Sequence, residues 1–240
     1  GRAVFPTLDD AAAAIGDAVG AGVDVAKIEL LDETTARLVN AYSDTGLPDK
    51  PLVFVEFHAD HGVDEEVAFC RTIFESHGVE AFEIEKRGSG MADLWQARKD
   101  MAYAMESWDP ALAPNHPGDV TVPISKFPDV VRYVKELAAE YDLLVPCYGH
   151  AGDGNLHYSA LVDNDDPASV ERAEALYRRV VERAIEAGGT ATGEHGIGMG
   201  KREYLVLEHG EASVRAMRAI KDALDPNGTL NPGKIFPDEA

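Results

Sequence analysis

Short apolar runs along this chain alternate with stretches in which apolar residues recur every three or four positions. The runs at residues 4–6, 26–31, 52–58 and 79–86 read as strands, and the segments at 8–19, 32–42, 63–77 and 91–105 read as amphipathic helices. Such alternation predicts a sheet layered with helices. Asp32, with Thr35 three residues on, is placed to cap the second helix, and Gly78 to close the third. Periodicity alone allows either parallel βαβ units or split, ferredoxin-like arrangements. A proline-containing stretch at 109–118 reads as a linker. Beyond it, 120–124, 143–148 and 156–162 read as strands, with helices at 128–141, 168–187 and 201–224. The segment 152–155 reads as the hairpin connection between the last two strands, so that His150 and His157 flank one turn. No repeat divides the chain, and the two halves are compatible with one continuous sheet.

Composition narrows the class of molecule. With 240 residues and 45% hydrophobic content the chain can bury an ordinary core. No apolar run reaches the ~18 residues that a membrane span needs, and the N-terminal residues lack a signal-peptide layout, which predicts a soluble, cytoplasmic protein. Cys70 and Cys147 are the only cysteines, too few for a disulfide framework and too far apart for a C-x-x-C site. Acidic residues outnumber basic ones 43 to 22, a formal net charge of -21, which disfavours nucleic acid and anionic membranes as partners. Because the acid is spread along the chain, it reads as a solvated surface and suggests a halophilic source.

The chemistry concentrates in two glycine-framed segments, Gly149-His150-Ala151-Gly152-Asp153-Gly154-Asn155-Leu156-His157 and Gly193-Glu194-His195-Gly196. Two imidazoles and a carboxylate are the ligands a divalent transition metal takes when one position stays open for a substrate oxygen. His150, His157 and Glu194 are therefore the candidate metal ligands, zinc foremost, and His195 is spare. The competing reading is a polar hairpin whose histidines only satisfy hydrogen bonds. His58 and His61 have metal-like spacing but lack a third ligand nearby in sequence, and the glycine run 196–200 fits neither phosphate-loop template. Asp153 and Asn155 are expected to hold the shape of the turn.

These segments also carry a resemblance. From about residue 120 to Phe236 the chain resembles the C-terminal half of FAD-linked oxidases of the vanillyl-alcohol-oxidase type. In their D-lactate dehydrogenase, glycolate oxidase subunit and D-2-hydroxyglutarate dehydrogenase branch, G-H-x-G-D-G-N-x-H and G-E-H-G-I-G precede L-N-P-G-K, here Leu230 to Lys234. The resemblance implies an α+β fold, a ferredoxin-like antiparallel sheet covered by helices on one face, with a helical C-terminal segment. It implies that His195 is the base taking the hydroxyl proton of a D-2-hydroxy acid, with support of the metal as the alternative role. Arg98, in Trp95-Gln-Ala-Arg98, is similar in setting to the family's substrate arginine, although Asp93 and Asp100 nearby also allow a surface ion pair. Asn231 would approach the flavin.

The family's FAD pyrophosphate-binding domain has no counterpart within these residues, so the chain is expected to be the cap and substrate half, partnered by an FAD-binding domain on the same or another chain and inactive alone. Ala102, Pro117 and Ser159 stand where relatives that oxidise diacids carry further polar groups, which favours lactate or glycolate as substrate. A stand-alone metal-dependent hydroxy-acid binding module and a zinc hydrolase are the alternative readings.

Overall fold

The computed structural model describes residues 1–85 and 89–237, and the side chains of all of these except 89–91 and 116. Lys86, the expected end of the fourth strand, and the side chain of His116 lie outside the described residues. The strands are β1 (Arg2–Val4), β2 (Lys27–Leu31), β3 (Leu52–Glu56), β4 (Ala81–Glu83), β5 (Ala113–Thr121), β6 (Cys147–Gly149) and β7 (Asn155–Val162). They form one seven-stranded sheet in the order β4-β1-β3-β2-β6-β7-β5, antiparallel at every pairing. Parallel βαβ units are thereby excluded, and both halves of the chain share the sheet through the β2–β6 pairing.

The helices are α1 (Leu8–Gly20), α2 (Glu33–Ser43), α3 (Val63–Ser76), α4 (Ser89–Ser107), α5 (Phe127–Glu140), α6 (Pro167–Glu186) and α7 (Tyr204–Leu224). The side chain of Asp32 accepts from the Thr35 N–H at 2.7 Å and caps α2, while Gly78, with a positive φ of 73°, follows α3. Alternation within β3 shows how the layers form. Val53 and Val55 join the core built with α1, α3, α5 and α6, whereas Leu52 and Phe54 join a second core with α2 and α4. Helices therefore cover both faces of the sheet, where the resemblance implied one. The unbroken apolar run at 52–55 follows from this, because a strand buried on both sides has no polar positions to alternate.

The stretch read as a linker is mostly β5, the edge strand beside β7. Pro114 and Pro117 concealed it. Proline lacks the N–H that a central strand must donate, but an edge strand leaves one side of its ladder unpaired, and the pairing here shifts register between Asn115 and Gly118. The C-terminal helix α7 is broken at Gly210, whose φ of 75° and ψ of 156° are not helical.

Candidate active site

Sheet register brings the first group of side chains together. His157 on β7 lies directly opposite Tyr148 on β6 and Asp119 on β5, and Tyr148 lies opposite Leu31 on β2. Directly paired residues share a face, and Glu29, two residues before Leu31, points the same way. This is the face covered by α2 and α4, and α4 supplies Arg98. A 3-10 turn at Ala151–Asp153 joins β6 to β7 and leaves His150 at its entry. Gly154 closes the turn at φ 72°, where a Cβ would collide with the Val122 carbonyl.

The second group arrives on the loop after Thr190. Gly193, Glu194 and His195 lie across the end of the row, because Asp119 collects their donors, its backbone carbonyl taking the Gly193 N–H at 3.3 Å and its buried carboxylate the other two. Its Oδ2 accepts from the N–H of Glu194 at 2.9 Å, the N–H of His195 at 2.8 Å and the Thr192 hydroxyl at 3.2 Å, while Oδ1 accepts from the Asn155 amide at 2.8 Å. A side chain at Gly193 would run into Asn155, Thr121 and Asp119, so only glycine lets the loop come this close.

The three predicted ligands converge. Glu194 Oε1 is 3.1 Å from His157 Nε2 and 3.4 Å from His150 Nε2, and the donor atoms of the three residues lie within 4.8 Å of one another. The His195 ring stacks on His157, with centroids 5.2 Å apart and an interplanar angle of 12°. Asp119, His157 and His195 form a second grouping of metal-ligand types. Both oxygens of Asp119 are already engaged by backbone and side-chain donors, so the first grouping is the better metal candidate.

Electrostatics follow from burial and bonding. Burial opposes ionisation of Asp119, but the N–H groups of His195 and Glu194, the Asn155 amide and the Lys201 ammonium hold its carboxyl far below the usual carboxylate range. Burial lowers Lys201, whose Nζ donates to the Asp119 carbonyl at 2.9 Å. Burial also pushes the His157 imidazole well down, keeping it neutral and able to bind a metal. His150 moves the other way, raised chiefly by its hydrogen bond to Glu29. Burial resists ionisation of Glu29 too, but the bonds from His150 and Arg98 win and lower it.

Replacing Asp119 with alanine should strand two backbone N–H groups and the Lys201 charge, a loss of about 3–5 kcal/mol. For a domain of this size that corresponds to a fall in melting temperature of about 6–20 °C, measurable by calorimetry. Because the native carboxyl is lowered, its contribution to stability is complete above the unfolded value of ~3.9 and drains away as pH falls through the native one. The wild-type advantage over Asp119→Ala should therefore hold above about pH 4 and shrink progressively as acid is added below it.

An open cleft of about 640 Å³ lies over these groups, lined by Glu29, Trp95, Arg98, Tyr148, His150, His157, Glu194 and His195, with Lys27, Glu56 and Lys99 at its margin. Arg98 reaches it with its guanidinium 4.9 Å from the centre of the Tyr148 ring, and its Nε donates to Glu29 Oε2 at 2.8 Å. The ion pair allowed for Arg98 thus exists, but with a buried glutamate inside the cleft and not with Asp93 or Asp100. Asn231 is elsewhere, in a separate depression with Arg218, Lys221 and Lys234. Its segment is tied to the loop after His195 by the Ile235 N–H, which donates to the Gly198 carbonyl at 2.7 Å. His58 is exposed and bonded to Glu56, and neither metal grouping among the described residues includes it.

Glu29, Asp119 and Tyr148 are the site residues that sequence reasoning missed. A lone acid inside the apolar β2 sequence Lys-Ile-Glu-Leu-Leu was the available signal for Glu29, since a carboxylate is rarely buried without a partner.

Residues 1–235 match the family model for the C-terminal domain of FAD linked oxidases. The chain is 36% identical over 240 residues to the mitochondrial D-lactate dehydrogenase (cytochrome) of Kluyveromyces lactis, covering 97% of this chain and 41% of that protein. It is 32% identical over 241 residues to the glycolate oxidase subunit GlcD of Bacillus subtilis, covering 99% of this chain and 51% of that one. The chain thus spans about half or less of the length of these relatives. Among solved structures it superposes on 4-ethylphenol oxidase from Gulosibacter chungangensis with a TM-score of 0.70 at 19% identity, covering 99% of this chain and 53% of that one, a likeness of fold. No described helix is long and apolar enough to cross a membrane. With a family model matched along almost its whole length, the chain belongs to the C-terminal domain family of FAD-linked oxidases.

Proposed function

We propose that the chain is the substrate- and metal-binding half of a flavin-dependent dehydrogenase or oxidase acting on a D-2-hydroxy acid of the lactate or glycolate type. The observation that carries this reading is the meeting of His150, His157 and Glu194 donor atoms in one cleft with Arg98 and His195. The names of its relatives supply the substrate class.

The residues fit a divalent metal. A carboxylate can only accept, so the bond from His150 Nδ1 to Glu29 leaves the Nε2 lone pair free towards Glu194, and neutral His157 offers a second nitrogen. Two nitrogens and one carboxylate oxygen suit zinc. When bound, the metal supplies a Lewis acid for the substrate hydroxyl, and FAD, held mainly by a partner FAD-binding domain, supplies the hydride acceptor.

The chain's own side chains do the rest. Arg98 holds the substrate carboxylate through its terminal nitrogens, since its Nε is already given to Glu29. His195 takes the hydroxyl proton at Nε2; its Nδ1 is the nitrogen near Asp119, 3.9 Å from Oδ2. What supports Asn231 facing the flavin is the tie between its segment and the loop that follows His195.

The test is to join the metal-loaded chain, by fusion or mixing, with an FAD-binding domain from a longer relative and add D-lactate or glycolate without oxygen. Bleaching of the flavin is expected. A folded, metal-loaded complex that leaves the flavin oxidised with every D-2-hydroxy acid tried would overturn the reading.

The charge supports a high-salt source. At a net charge of -21 the surface carboxylates repel, and salt screens that repulsion over about 10 Å at 0.1 M and less as it is raised. The melting temperature should climb with added potassium chloride into the molar range. A flat profile would argue for an ordinary acidic protein.

A further inference from the structure

Glu29 is 5% exposed and sits among apolar neighbours on β2. A carboxylate in such a place is costly unless it is paired. Its two oxygens are divided between two site residues. Oε1 lies 2.5 Å from His150 Nδ1, and Oε2 accepts from Arg98 Nε at 2.8 Å. Among the described residues, these are the only hydrogen bonds of the His150 ring and the Arg98 guanidinium; the ring also comes within 3.4 Å of Glu194 and within 4.8 Å of a His157 nitrogen.

Each bond fixes something that its recipient leaves free. An imidazole can carry its proton on either nitrogen, and the carboxylate at Nδ1 holds it there, turning the Nε2 lone pair towards Glu194 and His157. A guanidinium can rotate about its last bonds, and the grip on Nε, with the Tyr148 ring 4.9 Å away, sets its plane. The two terminal nitrogens are then presented as a fork that matches a carboxylate. The geometry points to Glu29 as the positioning residue that couples the metal-ligating imidazole of His150 to the carboxylate-holding guanidinium of Arg98, an inference that rests on the function proposed above. One side chain thus orders both halves of the grip on a 2-hydroxy acid, so metal and acid each meet residues that Glu29 has already set.

Glu29→Gln is the sharp variant, because an amide has one accepting oxygen and cannot serve both donors. The full chain, labelled with nitrogen-15, is titrated with zinc, and the zinc-loaded chain is titrated with glycolate. In wild-type protein without metal, ring-nitrogen spectra should show neutral His150 protonated at Nδ1, and zinc should tighten glycolate binding. In Glu29→Gln the other tautomer should become populated. Zinc affinity should fall about 10- to 100-fold, the usual effect of losing a group that orients a metal-bound histidine. Glycolate binding to the zinc-saturated chain should weaken as well, because Arg98 loses the contact that sets its plane.

A Glu29→Gln chain that keeps wild-type zinc affinity, tautomer and glycolate affinity overturns the inference while leaving the proposed function standing. If wild-type chain binds no zinc, the proposed metal fails, and the His150 tautomer still reports on Glu29. Should Glu29→Gln not fold, the wild-type spectrum decides, since an Nε2-protonated His150 in the metal-free chain would overturn the inference by itself.

Discussion

Replacing His157 with alanine is expected to abolish divalent-metal binding, while His58→Ala titrates with zinc as the wild type does. His157 is the most buried of the three proposed ligands, and its Nε2 stands 3.1 Å from Glu194 Oε1. Without it, the remaining donors are the half-exposed Glu194 and His150, which already gives its other nitrogen to Glu29. A pair of that kind offers little more than the protein surface does. Removing a group that merely orients a ligand costs about 10- to 100-fold in affinity, so removing the ligand itself should cost more. His58 projects into solvent beside Glu56 and serves as the control. Elemental analysis after dialysis, with a calorimetric zinc titration, reads both variants. Equal losses from the two would show that the wrong histidines were chosen.

The second large effect is on chemistry. In the complex with an FAD-binding domain, His195→Ala should slow flavin reduction by about 10²- to 10⁴-fold. At 1.36 kcal/mol for each tenfold change, this raises the barrier by about 2.7–5.4 kcal/mol. Hydride leaves C2 easily only when the hydroxyl proton has somewhere to go, and His195, stacked on His157 at the mouth of the cleft, is the histidine that no proposed metal contact uses. Arg98→Ala should behave differently, raising the dissociation constant of the hydroxy acid far more than it lowers the limiting rate of flavin reduction, because a carboxylate grip serves ground state and transition state alike. Rapid anaerobic mixing separates the two constants. If His195→Ala bleached the flavin at the original rate and Glu194→Ala did not, His195 would be reduced to supporting the metal.

The metal candidates were legible because their chemistry is local. His150 and His157 flank one turn, and Glu194 sits beside a glycine that only close packing explains. The residues that hold them were not. Asp119 is one acid in a strand disguised by two prolines, and its four donors come from residues 155, 192, 194 and 195, a meeting that exists only once β5 pairs with β7. Glu29 reaches partners 69 and 121 positions away, a distance that no spacing rule spans. The elements themselves were mostly visible, since alternation and helical period survive without knowledge of the fold. Their layering was not, because a run such as Leu52 to Val55 reports burial without saying what lies on either side.

The prolines of β5 have a consequence beyond hiding the strand. An antiparallel sheet ends in two rows of unpaired backbone groups, and each row can recruit a strand from another molecule. Here β4 ends one side with only three residues, and the other side ends in β5, where Pro114 and Pro117 withhold donors, the register shifts between Asn115 and Gly118, and Thr190 bridges Thr121 on the outer side. Both borders are poor templates for growth. This matters for a chain with a core on each face of its sheet, since partial unfolding would bare a broad apolar surface beside any border able to zip up with a neighbour. Straightening β5 with Pro114→Thr and Pro117→Val would trade that protection for a continuous ladder, turning a self-limiting sheet into one that can extend from molecule to molecule.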